Sequence, residues 1–330
     1  MIGLWDTTGT EVVKALSSER RSAGGLASGL ALTLVAVVDE RQVREAEAAA
    51  TIAASAHPCR LLIVVRADVT QQRSRLDAEI VVGGRLGPCE AVVMRMQGRL
   101  ALHAESVVMP LLAPDVPVVT WWQAAPPERI AYDPLGVVAD RRITDSVQAE
   151  QPVEALRIRA VDYAPGDTDL AWTRISPWRT LLAGAFDATR TGVSAAKITA
   201  PSTDPTATLM AGWLKARLGV EPSYEKGKSK IMEAVALQFD DGGTLDLIRN
   251  LDAGTATLRR SGQADRTLPL ARRPLGEELA EELRRLDADQ LYAAALAAAT
   301  GQHDLNGRQP SRVHVWQDPA LAEQPEAAHA

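Results

Sequence analysis

The residues with most to offer chemically are tryptophans and arginines. Trp172, Arg174, Trp178 and Arg179 fall close together, Trp121 and Trp122 are adjacent, and Asp140, Arg141, Arg142 and Asp145 set two guanidiniums between two carboxylates. The chain is only 4% aromatic, so this clustering is a concentration rather than a background. A planar guanidinium can clamp a phosphate or a carboxylate through two hydrogen bonds. Tryptophan and arginine are also the side chains that dominate the energetics of protein interfaces. The same residues could equally pack two halves of the chain together, with each arginine paired to its own acidic neighbours. A basic loop, Tyr224 to Lys230, with lysines at 226, 228 and 230, offers a further contact for an acidic partner, or a merely solvated turn.

Signatures of catalysis are missing around these residues. No Gly-x-Gly-x-x-Gly follows the first strand, and no P-loop or nucleophile elbow is spelled out. The run Val82 to Gly87 could approach a phosphate but reads as a turn between strands. The histidines at 57, 103, 303, 314 and 329 lack metal-ligand spacing. No catalytic residue, metal or cofactor is therefore expected. Cys59 and Cys89 are too few for a disulfide scaffold and read as buried thiols, with a disulfide as the alternative.

A chain of 330 residues is long enough for two domains. Its 46% hydrophobic and 24% charged content is that of a globular protein, and a net charge of −6 argues against a duplex nucleic-acid partner. The uncharged run from 22 to 38 follows Arg20 and Arg21 and faintly resembles a signal. It is short for a span, contains three glycines and is followed by Asp39 and Glu40, so it reads as a loop and a buried strand. A cytoplasmic protein without a membrane partner is expected.

The elements that must position the tryptophans and arginines follow from periodicity. Leu30–Val38, Arg60–Val65, Ile80–Val82, Ala91–Met96 and Val116–Trp121 read as strands. Glu40–Ala56 and Glu105–Leu112 read as helices between them, and the second of these ends at Ala113-Pro114. That alternation predicts a Rossmann-like, mostly parallel sheet over residues 1–166. Trp121 and Trp122 would end a strand on its ligand-binding edge, on opposite faces. A helix from Val153 to Val161 leads to the turn Ala164-Pro165-Gly166-Asp167, taken as the boundary. Residues 167–316 read as an α+β domain. Ser176-Pro177 and Asp204-Pro205 open helices, the second ending at Gly219. An antiparallel meander runs over Val235–Leu270. Glu277–Leu286 and a last helix opened by Asp287 close the domain. The tail 317–330 reads as disordered.

In their order, the segments Ala113–Trp122, Asp133–Asp145 and Asp162–Leu182 resemble the glucose-6-phosphate dehydrogenase assembly protein family, OpcA. The resemblance covers most of residues 30–299. It implies a non-enzymatic assembly factor or allosteric activator. Such a factor binds glucose-6-phosphate dehydrogenase and favours its active oligomeric state in the oxidative pentose phosphate pathway. The family offers no catalytic residue to carry over. Its redox control is associated with the cyanobacterial branch and depends on cysteines, and with only Cys59 and Cys89 here it is not carried over; the Ala- and Arg-rich composition looks more like the actinobacterial branch. On this reading Trp121, Trp122, Asp140, Arg141, Arg142, Asp145, Trp172, Arg174, Trp178 and Arg179 form the working surface. Replacing Trp178 and Arg179 by alanine is then expected to abolish activation without unfolding. The alternative is a sugar-phosphate or nucleotide-binding protein, sensor or enzyme, that uses the N-terminal crevice with Arg141 and Arg142 on the ligand.

Overall fold

Runs of β-branched and aliphatic residues bury on both faces, as strands of a parallel sheet covered by helices must. Seven consecutive residues of Leu32–Val38 are buried, as are the five of Val118–Trp122. The computed structural model describes residues 1–22, 29–83, 90–186 and 191–310. Most of the glycine-rich run from 82 to 87, Cys89 and the tail from 317 lie outside them.

The first sheet has eight strands: β1 (Ile2–Leu4), β2 (Leu32–Val38), β3 (Cys59–Arg66), β4 (Arg75–Val82), β5 (Glu90–Gln97), β6 (Val118–Trp122), β7 (Arg141–Thr144) and β8 (Asp167–Asp169). Their spatial order is β1-β4-β5-β3-β2-β6-β7-β8. The strands from β5 to β8 in that order are all parallel, while β4 and β1 are antiparallel additions at one edge. The expected α/β architecture is present. The helix expected over Glu105–Leu112 is instead a broken series, Arg99–Leu102, Glu105–Val108 and a 3-10 turn at Met109–Leu111. Pro110, inside that last turn, cannot continue an α-helical hydrogen-bond ladder.

The second sheet takes its strands from later in the chain: β9 (Val193–Thr199), β10 (Ser223–Glu225), β11 (Ala234–Phe239), β12 (Thr244–Asn250), β13 (Thr255–Arg260) and β14 (Arg266–Pro269), ordered β10-β9-β11-β12-β13-β14. All its pairings but β10–β9 are antiparallel, which gives the expected meander. The Pro205–Leu218 helix begins where Asp204 accepts a hydrogen bond from the Thr206 N–H at 2.8 Å, and it ends on Gly219 at φ 71°. The final helix, Gln290–Thr300, is capped by Asp289, whose carboxylate accepts from the N–H groups of Leu291 and Tyr292, and not by Asp287.

A tight turn leads into the last strand of the first sheet, and a returning helix ties the halves together. Gly166 turns the chain into β8 at φ 100°, with Asp140 O only 2.5 Å from where a Cβ would lie, so no other residue fits without distortion. The Leu275–Glu282 helix leaves the second half and packs Leu279 and Leu283 into the core of the first, against the small-residue face Ala46, Ala49, Ala50 and Ala53 of the Val43–Ala56 helix. His57 at the end of that helix approaches the Ala280 carbonyl at 3.0 Å. Among the described residues no helix is long and apolar enough to cross a membrane.

Candidate functional site

The tryptophans and arginines singled out above are brought together at the junction of the halves, mostly inside it. On β6, Trp121 and Trp122 do point to opposite faces, but both are buried. Trp121 packs with Ile143 and Leu170, Trp122 with Ile130 and Leu135. Trp172 and Trp178 are 1% and 0% exposed and belong to the core of the second half. None of the four rings stands as an exposed contact.

The arginines of β7 alternate across the sheet as strand geometry requires. Arg141 faces the Leu275–Glu282 helix, donating to Glu282 and, at 2.6 Å, to the Asp287 carbonyl. Arg142 faces the other side and donates to Asp167, to Ala139 O at 3.1 Å and to Pro165 O at 2.7 Å. Both side chains are nearly fully buried. The terminal nitrogens of both are occupied internally, while the buried Nε of Arg141 has no acceptor among the described residues. Asp140 stays at the surface and holds the start of β6, accepting from Val118 N–H at 3.0 Å.

A denser cluster sits at the carboxyl ends of β7 and β8. Arg174 is the centre of it. Its two terminal nitrogens donate to both oxygens of Asp145 at 2.6 and 2.8 Å, and its Nε donates to Glu278 at 2.9 Å. Burial works against its charge, but the two carboxylates outweigh it and hold Arg174 well above the usual guanidinium range. Burial pushes Glu278 up, against the pull of Arg174. The Trp172 Nε1–H donates to Asp289 at 2.8 Å, coupling the Leu170–Arg174 helix to the cap of the last helix. Arg179 stacks on Trp172, Cζ 3.5 Å from the ring centroid, and burial lowers it to about 10.

Asp169, fully buried at the end of β8, accepts from Ser146 N–H at 3.0 Å, Thr144 Oγ1–H at 2.7 Å and Ala171 N–H at 2.9 Å. Burial, reinforced by the charge of Asp145, raises it above the ordinary 3.8. Because the folded value exceeds the unfolded one, the native state keeps a proton that the unfolded chain gives up. Its contribution to stability is complete below about pH 4 and is lost as pH rises through the raised value. In urea melts across that window, wild type should therefore lose ground to Asp169→Asn as pH rises, by about 1.4 kcal/mol per pH unit while inside it. A pH-independent difference between the two proteins would contradict this. The variant is suited to the comparison because Ser146 and Thr144 hydroxyls can turn to accept from the new amide.

The arrangement is thus a buried ionic and aromatic lock. It can fix the relative position of the two sheets, and it presents Arg179 and neighbouring charges at its rim. That rim is a cavity of 420 Å³ beside Trp172, where Arg179, Arg217, Arg284 and Arg285 face Glu281 and Asp289. Residue type located this region from the sequence, but Glu278, Glu282 and Asp289 were missed. They lie more than 100 residues downstream, in helices that read as ordinary amphipathic ones. No local spacing links them to Arg141, Trp172 or Arg174.

Comparison with known proteins agrees with the extent of this scaffold. Residues 50–161 match the family described as glucose-6-phosphate dehydrogenase subunit N-terminal domain, and residues 165–296 match its C-terminal domain. Relatives bearing the name OxPP cycle protein OpcA include that of Synechococcus elongatus, 34% identical over 144 residues, covering 41% of this chain and 32% of the relative. That of Synechocystis sp. is 29% identical over 207 residues, covering 57% and 43%. The aligned part of this chain thus spans less than half the length of these relatives.

Proposed function

Since the chain belongs to the OpcA family of glucose-6-phosphate dehydrogenase assembly proteins, we propose that it is a non-enzymatic factor that binds glucose-6-phosphate dehydrogenase. In this reading it favours the active oligomeric state of that enzyme in the oxidative pentose phosphate pathway. The observation that carries this is the reach of the two family matches, which run over both sheets and meet at the junction. What the family describes as a subunit corresponds here to a body of two sheets packed at a shared junction. Activation requires that such a body bind the active state of the enzyme more tightly than the inactive one.

The buried tryptophans then act as supports, and the contact forms over the rim that they hold in place, with Arg179, Arg284 and Arg285 as its charged members. Charged rim residues chiefly steer association and set its salt dependence. The test is the steady-state rate of the cognate dehydrogenase with and without this protein, together with its mass by light scattering. A saturable rise in rate or a larger mass is expected, and Arg284→Glu with Arg285→Glu should weaken either effect about tenfold or more. No change in rate or mass with the unaltered chain would remove this reading.

A further inference from the structure

A second cavity, of 530 Å³, lies where loop 226–231, the start of the Pro205–Leu218 helix, β12 and segment 271–273 meet Val147 and Pro152 of the first half. In a chain of net charge −6 its lining is strongly basic, with seven Arg and Lys against two acids. Both acids are already engaged, and so are two of the cations, Arg174 by Asp145 and Glu278 and Arg273 by Glu281. Glu278 is held by Arg174, and Asp204 accepts from the N–H groups of Thr206 and Met232, each at 2.8 Å. Glu233, behind the loop, is turned onto the Ser229 N–H and shapes the turn.

Arg249 is the informative member. It projects from β12 with its Cζ 4.9 Å from the Trp178 ring centroid, and its Nε is buried with no acceptor among the described residues. Burial holds its charge below the usual guanidinium range and nearby Arg272 pushes the same way, with Asp204 opposing. A partly desolvated guanidinium beside another cation is costly unless an anion completes it. Thr206, in the first turn of the Pro205–Leu218 helix, lines the same space, its N–H already held by Asp204. The volume is in the range of small-molecule sites, whereas an extended acidic segment needs a groove along the surface.

We propose that this cavity is a binding site for a phosphate-bearing small molecule, a sugar phosphate or a nucleotide, with Arg249 and Arg272 on the phosphate and Lys228 closing from the loop. A phosphate ester carries close to two negative charges, which matches an excess of several cations better than a single carboxylate does. Val147 and Pro152 of the first half line the cavity together with Arg174 and Glu278 of the junction lock, so an occupant touches both halves. The site stands whether or not the chain binds a dehydrogenase.

The test is isothermal titration calorimetry on the full chain with orthophosphate, glucose 6-phosphate and ADP, with glucose and adenosine as controls lacking phosphate. Saturable heat is expected for at least one phosphorylated probe and for neither control. A preference for glucose 6-phosphate or for ADP tells which class supplies the phosphate, and either one supports the site. Arg249→Met should weaken binding about tenfold or more. Because Arg249 packs on a buried ring, the double variant R272S/K228S, at exposed positions, provides a second reading free of folding effects and should weaken binding similarly. Silence from all three phosphorylated probes at about 10 mM, where even millimolar affinity would register, overturns the proposal. So does unchanged affinity in both variants.

Discussion

Arg174→Met should lower the unfolding free energy by about 3–5 kcal/mol, the cost of removing one partner from a buried ion pair. The side chain is 14% exposed, and it holds Asp145 and Glu278, whose side chains are 3% and 4% exposed. Without the guanidinium these two carboxylates face one another across the junction with nothing between them, so the loss is larger than the worth of the pair itself. A domain of this size has only about 5–15 kcal/mol to lose. The urea midpoint should drop accordingly. The triple variant with Asp145→Asn and Glu278→Gln should recover part of the loss, because the uncompensated charges are then gone. A single variant within about 1 kcal/mol of wild type would mean that the lock contributes little beyond an exposed pair.

Trp178→Ala should cost about 3–5 kcal/mol, the usual range for truncating a large aromatic residue inside a core. Trp178 is completely buried, packed in the same cluster as Trp172, Leu182 and Val235, and it supports the guanidinium of Arg249. Trp178→Phe should cost distinctly less, since most of the ring volume remains. Denaturant unfolding of the two variants checks both figures. An alanine variant as stable as wild type would contradict the burial on which they rest. It follows that replacing Trp178 together with Arg179 does not test an interface cleanly. The expected loss of activation would arrive through loss of fold, and variants at the exposed rim separate the two.

Legibility from the sequence tracked the physical signal each element leaves. The strands β2, β3, β5 and β6 are apolar runs, and the Pro205–Leu218 helix has both ends marked by Asp204-Pro205 and Gly219, so these were readable. The strands β7 and β8 were not. Their sequences, Arg-Arg-Ile-Thr and Asp-Thr-Asp, look like solvated turns, because charged residues are rarely buried unless paired and the partners are remote in sequence. The same reason explains the tryptophans. Their type marks a place of concentrated interaction energy, but large aromatic residues dominate cores and interfaces alike. Only the return of the Leu275–Glu282 helix, with Glu278 and Glu282 reaching Arg174 and Arg141, decides which of the two this place is.

That returning helix also bears on how the chain is made. The alanine face of the Val43–Ala56 helix finds its cover in Leu279 and Leu283, more than 200 residues later. At roughly 5–20 residues per second of synthesis, the nascent first half waits on the order of ten seconds or more with that face open on the ribosome. Its completion is therefore tied to the arrival of about the last sixth of the chain, and premature termination before residue 275 leaves a product with an uncovered apolar surface, the kind that chaperones hold and proteases clear.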